Sequence, residues 1–287
     1  MKTIISVDFD AWFQNRPPWS SPGKSQFDVC PIVNFIERFQ RSITVFVRED
    51  KETIRDFGVG YFYNLINSIQ SLPIEIGWHP HVFDNNNNIV REESILLSEL
   101  RNILKQSSFV QQCKLVRVGA CQSGNSIMSF LAENFDIDSS AMSRCVRRDF
   151  LRWYDWSETQ GGVYYPSVAD YRVTGDLAYD ILEVPITTFD ILAPYEESPK
   201  RRILNPSVRA SLFQKSVLNS KDALTSLDCL VVACHAEELE YGYVNDLYVY
   251  GLDNFFENLR FLEATFDCEY ISFQDIRKSL TYGHSIY

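Results

Sequence analysis

Cysteine, histidine and long apolar runs are scarce or unpatterned in this 287-residue sequence. The seven cysteines are an odd number, and no two of them form a Cys-x-x-Cys pair. This pattern fits neither a disulfide framework nor a zinc knuckle, so we expect reduced, mostly buried cysteines. No run approaches the roughly 18 apolar residues of a membrane-spanning helix. The apolar stretch at the N-terminus is too short for a signal peptide, and we expect a cytoplasmic protein without stable membrane insertion.

Positive charge is also in short supply. Acidic residues number 38 against 27 lysines and arginines, which gives a formal net charge of -11. Proteins that hold nucleic acids through phosphate contacts need a basic face, so we expect no nucleic-acid partner. With 45% hydrophobic and 23% charged residues, the composition is that of a globular protein. It excludes a disordered chain, a collagen-like repeat and a coiled coil.

Short apolar, β-branched runs alternate with helical patterns along most of the chain. We expect strands at residues 3–10, 43–48, 74–78, 114–118, 135–139, 182–187, 229–234 and 269–273. Helical patterns lie at residues 31–40, 59–71, 92–106, 126–134, 253–265 and 274–280. Strands separated by helices pair in parallel through right-handed crossovers. The pattern predicts an α/β fold, a distorted (β/α) barrel of about seven strands, as one domain over residues 1–287. Residues 142–181, rich in aromatic residues, break the alternation, and we expect an insertion near the barrel mouth.

Ionisable side chains close four of the predicted strands. They are Asp8 and Asp10 in IISVDFDAWF, His79 and His81 in IEIGWHPHVF, Arg117 in KLVRVGACQSG, and His235 in LVVACHAEEL. Active sites of parallel barrels are built at the carboxyl ends of the strands. Each feature alone has a structural explanation, such as a loop acid, a core histidine or an ion-pair partner. Four coincident features, holding three of the four histidines in the chain, indicate a functional site.

Spacing brings the paired side chains together. In an extended segment residues i and i+2 point to the same side, so the two aspartates point together, as do His79 and His81. Two imidazoles and a carboxylate at one barrel mouth form a three-ligand set of the kind that binds catalytic zinc and leaves a fourth position for water. The sequence therefore predicts a metal site at the mouth of the barrel.

These motifs, in order over most of the chain, resemble those of the NodB-homology polysaccharide deacetylases (carbohydrate esterase family 4), especially divergent bacterial branches. VDFDAWF resembles the first motif, EIGWHPH the second, RVGACQSGNSIMSFLAENFDIDSSA the third with the stretch after it, and ACHAEEL the last. The segments YYPSVADYRVTG and ILEVPITT resemble the later core. The resemblance implies a distorted (β/α) barrel and a metal-dependent amidase that removes an acyl group from a sugar.

The chain departs from the family pattern at three points. Phe9 separates the two aspartates, which are adjacent in the family. The two histidines of the second motif are two residues apart instead of four, and Gly119 stands where the third motif has a proline.

The resemblance assigns a role to each of these residues. It implies that Asp10 and the two histidines of the second motif hold a divalent metal, for which zinc is expected. Asp8 is then the general base, and Arg117 orients it and keeps it ionised. His235 is the general acid that protonates the departing sugar amine.

Two classes of function stay open at this point. The resemblance and the expected location favour a hydrolase acting on an N-acetyl or N-formyl sugar, a nucleotide- or lipid-linked precursor of O-antigen or capsule. The alternative is a catalytically silent barrel that binds glycan or scaffolds an assembly. The aromatic residues 153–165, with Trp12, Trp19 and Trp78, are either sugar-stacking faces or core residues. Two other enzyme classes fit less well. An amidohydrolase barrel would carry its histidine pair on the first strand, whereas here the pair follows the third predicted strand. The non-haem iron oxygenases are β-rich, whereas strands and helices alternate in this chain.

Overall fold

Twelve strands and ten helices lie in the part of the chain that the structure, a computed structural model, describes: residues 1–9, 30–67, 74–84, 88–148, 153–240 and 242–283. The strands are β1 (Lys2–Phe9), β2 (Ile43–Val47), β3 (Ile74–Trp78), β4 (Leu115–Val116), β5 (Ile137–Asp138), β6 (Val146–Arg148), β7 (Trp153–Asp155), β8 (Leu182–Glu183), β9 (Thr188–Ile191), β10 (Lys200–Ile203), β11 (Leu230–His235) and β12 (Glu269–Tyr270).

The helices are α1 (Cys30–Phe39), α2 (Lys51–Phe57), α3 (Tyr61–Asn67), α4 (Glu93–Gln106), α5 (Ser108–Gln112), α6 (Asn125–Asn134), α7 (Ala210–Asn219), α8 (Lys221–Thr225), α9 (Leu252–Phe266) and α10 (Phe273–Gly283). The helix predicted over residues 59–71 corresponds to α3, with residues 68–71 outside the described part, and α2 before it was not predicted. Gly58 and Gly60 separate them with φ angles of 90° and 72°, a region in which glycine is favoured. None of the described helices is both long and apolar enough to cross a membrane.

One curled parallel sheet organises the molecule. Its strand order is β11-β1-β2-β3-β4-β5-β8, and β12 pairs with the beginning of β1. Each of the eight predicted strands supplies one strand of this sheet, and the prediction of a distorted α/β barrel is confirmed. The two edges, β8 and β11, share no ladder, and β11 instead bonds to residues that precede β9 and follow β10. Thr187 N donates to Val231 O (3.1 Å), and Ala233 N donates to Leu204 O (3.3 Å).

Alternation along the strands separates two hydrophobic cores. On β1, Ile5 and Val7 point outward into the large core beneath the helices, whereas Ile4 points inward. The inner core also contains Phe46 from β2 and Val231 from β11. Because the period of a strand is two, the residues at even positions of β1, ending with Asp8, all point into the barrel. This alternation carries the ionisable strand ends to the barrel interior.

Helix α10 closes the amino end of the barrel. Phe273 and Ile276 belong to the inner core. Glu75, which points inward from β3, accepts hydrogen bonds from Phe273 N (3.0 Å) and Gln274 N (3.1 Å) and so caps the first turn of the helix. The opposite end of the barrel, where the strands have their carboxyl ends, holds the candidate site.

The aromatic segment 142–181 covers the outer face of β5 and β8. It contributes the antiparallel pair β6–β7 and a small core of Ala141, Cys145, Tyr154 and Trp156. Beneath it, Asp138 and Glu183 are register partners, and both are fully buried. Oδ2 of Asp138 and Oε2 of Glu183 have no hydrogen-bond partner among the described residues, and a proton on one of the two carboxyl groups would let them bond to each other. Burial, and then the neighbouring Asp138, raise the pKa of Glu183 well above its usual range, so the proton resides on Glu183.

This buried acid pair predicts a pH-dependent stability. The folded chain keeps a proton on Glu183 that the unfolded chain releases above its ordinary pKa of 4.5. The free energy of unfolding should therefore fall as the pH rises from there to the folded pKa, by up to about 1.4 kcal/mol per pH unit for one proton. Glu183→Gln mimics the protonated acid and should flatten the profile, measured as urea midpoints from pH 4.5 to 8. Glu197→Gln, at an exposed glutamate, is the control; equal slopes for all three proteins would contradict the shared proton.

Candidate active site

Four of the predicted site residues meet at the carboxyl ends of the strands. Asp8 closes β1 and is the register partner of His235 on the neighbouring strand β11. Arg117 and His79 directly follow β4 and β3, and both are buried. Trp78 and Val116 point outward into the large core. Alternation therefore directs the residue after each of them into the barrel.

Arg117 is the most connected side chain of the site. Its Nη1 donates to Asp8 Oδ1 at 2.7 Å, and its Nη2 donates to the hydroxyls of Ser6 and Ser139, both at 3.0 Å. Its Nε donates to Ser139 O (3.0 Å), and the guanidinium carbon lies 4.0 Å from the ring centroid of Phe46. The buried cation thus has several polar partners and an aromatic face, which keeps the Asp8 carboxylate in one position.

The two histidines of the second motif converge at their Nε2 atoms, which are 3.1 Å apart. His79 Nδ1 donates to Arg117 O at 2.7 Å, and this bond fixes the tautomer in which Nε2 carries a lone pair. The ring of His81 stacks on Phe83, with centroids 5.5 Å apart. Two nitrogen ligands at about 2.0–2.1 Å on a tetrahedral zinc lie about 3.3 Å apart, so the spacing fits two ligands of one metal.

The third predicted ligand, Asp10, lies outside the described residues, as do Trp12 and Trp19. Among the described residues, no group of three or more His, Cys, Asp or Glu side chains is arranged to hold a metal. What the described part shows is a donor pair of two imidazoles, with His79 oriented through its second nitrogen by a backbone carbonyl. That arrangement is typical of histidines that bind metal.

Gly119 leaves the space that the ring of His81 occupies. A Cβ atom at position 119 would lie 2.5 Å from Cγ and Cδ2 of His81, well inside contact distance. The amide of Gly119 also donates to Pro80 O at 2.7 Å. The glycine that departs from the family pattern is therefore required by the close approach of the histidine.

The backbone after Gly119 is strained. Ala120 and Cys121 have φ angles of 54° and 57°, a left-handed region that non-glycine residues seldom adopt and that costs on the order of 1 kcal/mol each. The insertion holds this turn in place, because Trp156 Nε1 donates to Cys121 O at 2.9 Å. Gln122 Nε2 donates to Val90 O as well. The loop under the histidine pair is fixed by contacts from both sides.

His235 is held by a carboxylate that the sequence pattern did not identify. Its Nδ1 lies 3.2 Å from Oε1 of Glu238, and Oε2 of Glu238 accepts from Asn205 Nδ2 at 2.6 Å. Since a carboxylate only accepts, Nδ1 carries the proton in this hydrogen bond. Glu238 is buried, whereas the side chain of His235 is 37% exposed. The signal was available in the sequence as a glutamate three residues after the strand-end histidine.

A second missed residue is Arg48, which directly follows β2 and is buried. Its side chain donates to Asp50 and Glu52, and its guanidinium lies 5.6 Å from the ring centroid of Phe83. Through Phe83 it supports the ring of His81. The signal was the sequence ITVFVRED, in which β2 also ends on charged residues.

The structure decides between the two alternatives for the large aromatic residues of this segment and for Trp78. Trp78, Tyr154, Trp156 and Tyr164 are all less than 9% exposed. Tyr164 pairs with Glu183 of the acid pair through a backbone bridge. Trp156 bonds to the carbonyl of Cys121 in the strained turn after Gly119. The described part of this segment therefore favours the core alternative for its large aromatic residues.

The contact between Gly119 and His81 predicts a measurable coupling. Gly119→Ala should lower the free energy of unfolding by about 1–3 kcal/mol because the new methyl overlaps the imidazole. In a His81→Ala background the same change should cost little, since the ring is gone. The coupling energy from urea unfolding of the four proteins should be about 1–3 kcal/mol. Additive effects would show that the ring does not occupy this space.

The comparisons with known proteins show which solved structures are similar to this chain. No family model matches the chain, and no curated protein matches it. The crystal structure of "a putative glycoside hydrolase/deacetylase" from Parabacteroides distasonis is similar over 82% of this chain and 62% of that one, with 10% identity and a TM-score of 0.53. That of "a putative polysaccharide deacetylase involved in O-antigen biosynthesis" from Bordetella bronchiseptica covers 90% of this chain and 88% of its own, with 12% identity and a TM-score of 0.45. The first similarity shows that the chain has the distorted α/β barrel that the motif resemblance implied.

Proposed function

We propose that this protein is a metal-dependent hydrolase that removes an N-acyl group, acetyl or formyl, from a sugar. One observation carries the proposal: the Asp8–Arg117 ion pair and the convergent pair His79 and His81 are joined by the hydrogen bond from His79 to the Arg117 carbonyl. A base, its orienting cation and two metal-ligand nitrogens thus form one connected unit at a barrel mouth.

His79, His81 and Asp10 would hold the metal. When bound, a divalent ion such as zinc acidifies water and polarises the acyl carbonyl. Asp8 accepts the proton of the attacking water, and Arg117 holds the Asp8 carboxylate in place through its bond to Oδ1. The cation also favours the ionised form of Asp8.

His235 donates a proton to the departing sugar nitrogen from Nε2. Glu238 holds Nδ1, which sets the direction of Nε2 and stabilises the charged imidazolium. The acid and the base extend from adjacent strands at the same register position. Neighbouring strands are about 4.8 Å apart, so both can reach opposite sides of one small acyl group.

The substrate class follows from the motif resemblance and agrees with the description of the Parabacteroides protein that shares the fold. A nucleotide- or lipid-linked N-acyl sugar, met in the cytoplasm during synthesis of O-antigen or capsule, is the substrate we propose. A silent glycan-binding barrel is the outcome if the metal and activity experiments below fail.

Metal content tests the ligand assignment. After reconstitution with zinc, the wild type should hold about one equivalent by mass spectrometry, and His79→Ala should lose it. His284→Ala removes the one histidine outside the strand-end set and should leave the metal in place. A wild type that binds no metal after reconstitution would contradict a metal-dependent reaction.

Two substitutions separate the acid and base from the ligands. Asp8→Asn and His235→Ala should each lower kcat for acyl release from N-acetylated sugars about 10²–10⁴-fold while the metal content stays at the wild-type level. Thermal midpoints of both variants are needed, because Asp8→Asn weakens a buried ion pair. If His235→Ala loses metal in parallel with activity, His235 is a ligand; if Asp8→Asn keeps its turnover, Asp8 is not the base.

A further inference from the structure

A cluster of tyrosines lies in the loop between β11 and α9. The ring centroids of Tyr243 and Tyr250 are 4.9 Å apart, and those of Tyr248 and Tyr250 are 6.2 Å apart. We call these three rings the tyrosine platform. Tyr243 is 39% exposed, and the other two are half-buried. The platform therefore presents aromatic surface to solvent on the loop that follows the strand of His235.

The loop that carries the platform is held in one conformation. Asn245 Oδ1 accepts from Tyr248 N at 2.6 Å, and Asn245 Nδ2 donates to the hydroxyl of Tyr243 at 2.9 Å. Arg209 donates to Asn245 O at 2.6 Å, and the side chain of Leu247 anchors the loop in the large core. The rings are thus ordered before any ligand binds, which lowers the entropic cost of binding.

A backbone hydrogen bond next to the platform links its loop to the residue that holds His235. Gly251 N donates to Glu238 O at 2.9 Å, and the carboxylate of Glu238 holds His235. Burial, and then the carboxylates of Glu238 and Glu237, raise the pKa of the Tyr250 hydroxyl. That hydroxyl therefore stays protonated, within electrostatic reach of the carboxylate that orients the general acid.

We propose that the tyrosine platform binds a pyranose ring of the carbohydrate substrate and places it beside His235. The inference rests on the proposed function. A pyranose exposes C–H groups on its faces, which pack on the electron-rich face of an aromatic ring, while tyrosine hydroxyls bond to the sugar oxygens. Sugar-stacking faces were one of two alternatives for the insertion, whose large aromatic residues are buried in its described part. On the loop after β11, Tyr243 is 39% exposed and the other two rings are half-buried.

Equilibrium binding tests the platform. Calorimetry in an Asp8→Asn background avoids turnover, with the tetrasaccharide of N-acetylglucosamine and UDP-N-acetylglucosamine as probes. Tyr243→Ala and Tyr248→Ala should each weaken binding of at least one probe about tenfold, or about 1.4 kcal/mol. Tyr243→Phe keeps the ring and should stay within about threefold. Tyr61→Ala, at an exposed tyrosine on α3, should leave the affinity unchanged. Thermal midpoints show whether each variant folds. If Tyr248→Ala does not fold, the comparison of Tyr243→Ala with Tyr243→Phe decides the outcome.

Unchanged affinity in Tyr243→Ala, or no binding of either probe by the Asp8→Asn parent, would overturn the platform. So would a dimer, seen by sedimentation, that Tyr243→Ala dissociates without affecting sugar binding. Acetate release by the wild type is measured separately. Acetate release that does not depend on the tyrosines would contradict the platform and support the hydrolase. Sugar binding that depends on the tyrosines, without any acetate release, would support the platform and contradict the hydrolase.

Discussion

A single buried charge, the guanidinium of Arg117, sets the geometry of the candidate site. A cation taken out of water is tolerated only when its donors are satisfied and an anion lies in contact. Here Asp8 supplies the anion, Ser6 and Ser139 accept the remaining bonds, and the carbonyl of the same residue orients His79. These requirements tie β1, β3, β4 and the chain after β5 together at one end of the barrel.

The barrel interior has an apolar half and a half with ionisable residues. Both are built from the inward-pointing side chains, which alternate with outward-pointing ones along each strand. Inward positions near the amino ends are apolar and are covered by α10, whose first turn is capped by Glu75. Inward positions at the carboxyl ends are ionisable. One strand can serve both purposes because its period of two repeats over its whole length, as in β1, where Ile4, Ser6 and Asp8 share a face. A shift of one residue in register would place Asp8 in the outer core.

The sequence was sufficient for the strands of the sheet but not for the residues that support the candidate site. Apolar β-branched runs identified all eight strands of the sheet, although β4, β5, β8 and β12 have only two residues each because ladder length depends on the partner strand. The helices that were missed are α2, α5, α7 and α8, and α7 has no side-chain N-cap to mark its start. The sequence also does not tell which aromatic side chains are exposed to solvent. Trp156 and Tyr164 of the insertion are buried, while Tyr243 after β11 is 39% exposed.

Two departures from the family pattern, the short spacing of the two histidines and the glycine at position 119, fit each other sterically. With two-residue spacing, the ring of His81 reaches Nε2 of His79 only by lying over position 119, where a Cβ atom would overlap it. A proline at that position would overlap the ring and would also lack the N–H that bonds to Pro80 O. The short histidine spacing and Gly119 therefore require each other. A barrel that had lost its site would have no need for such a match, and this complementarity supports the proposed hydrolase over the silent glycan-binding barrel.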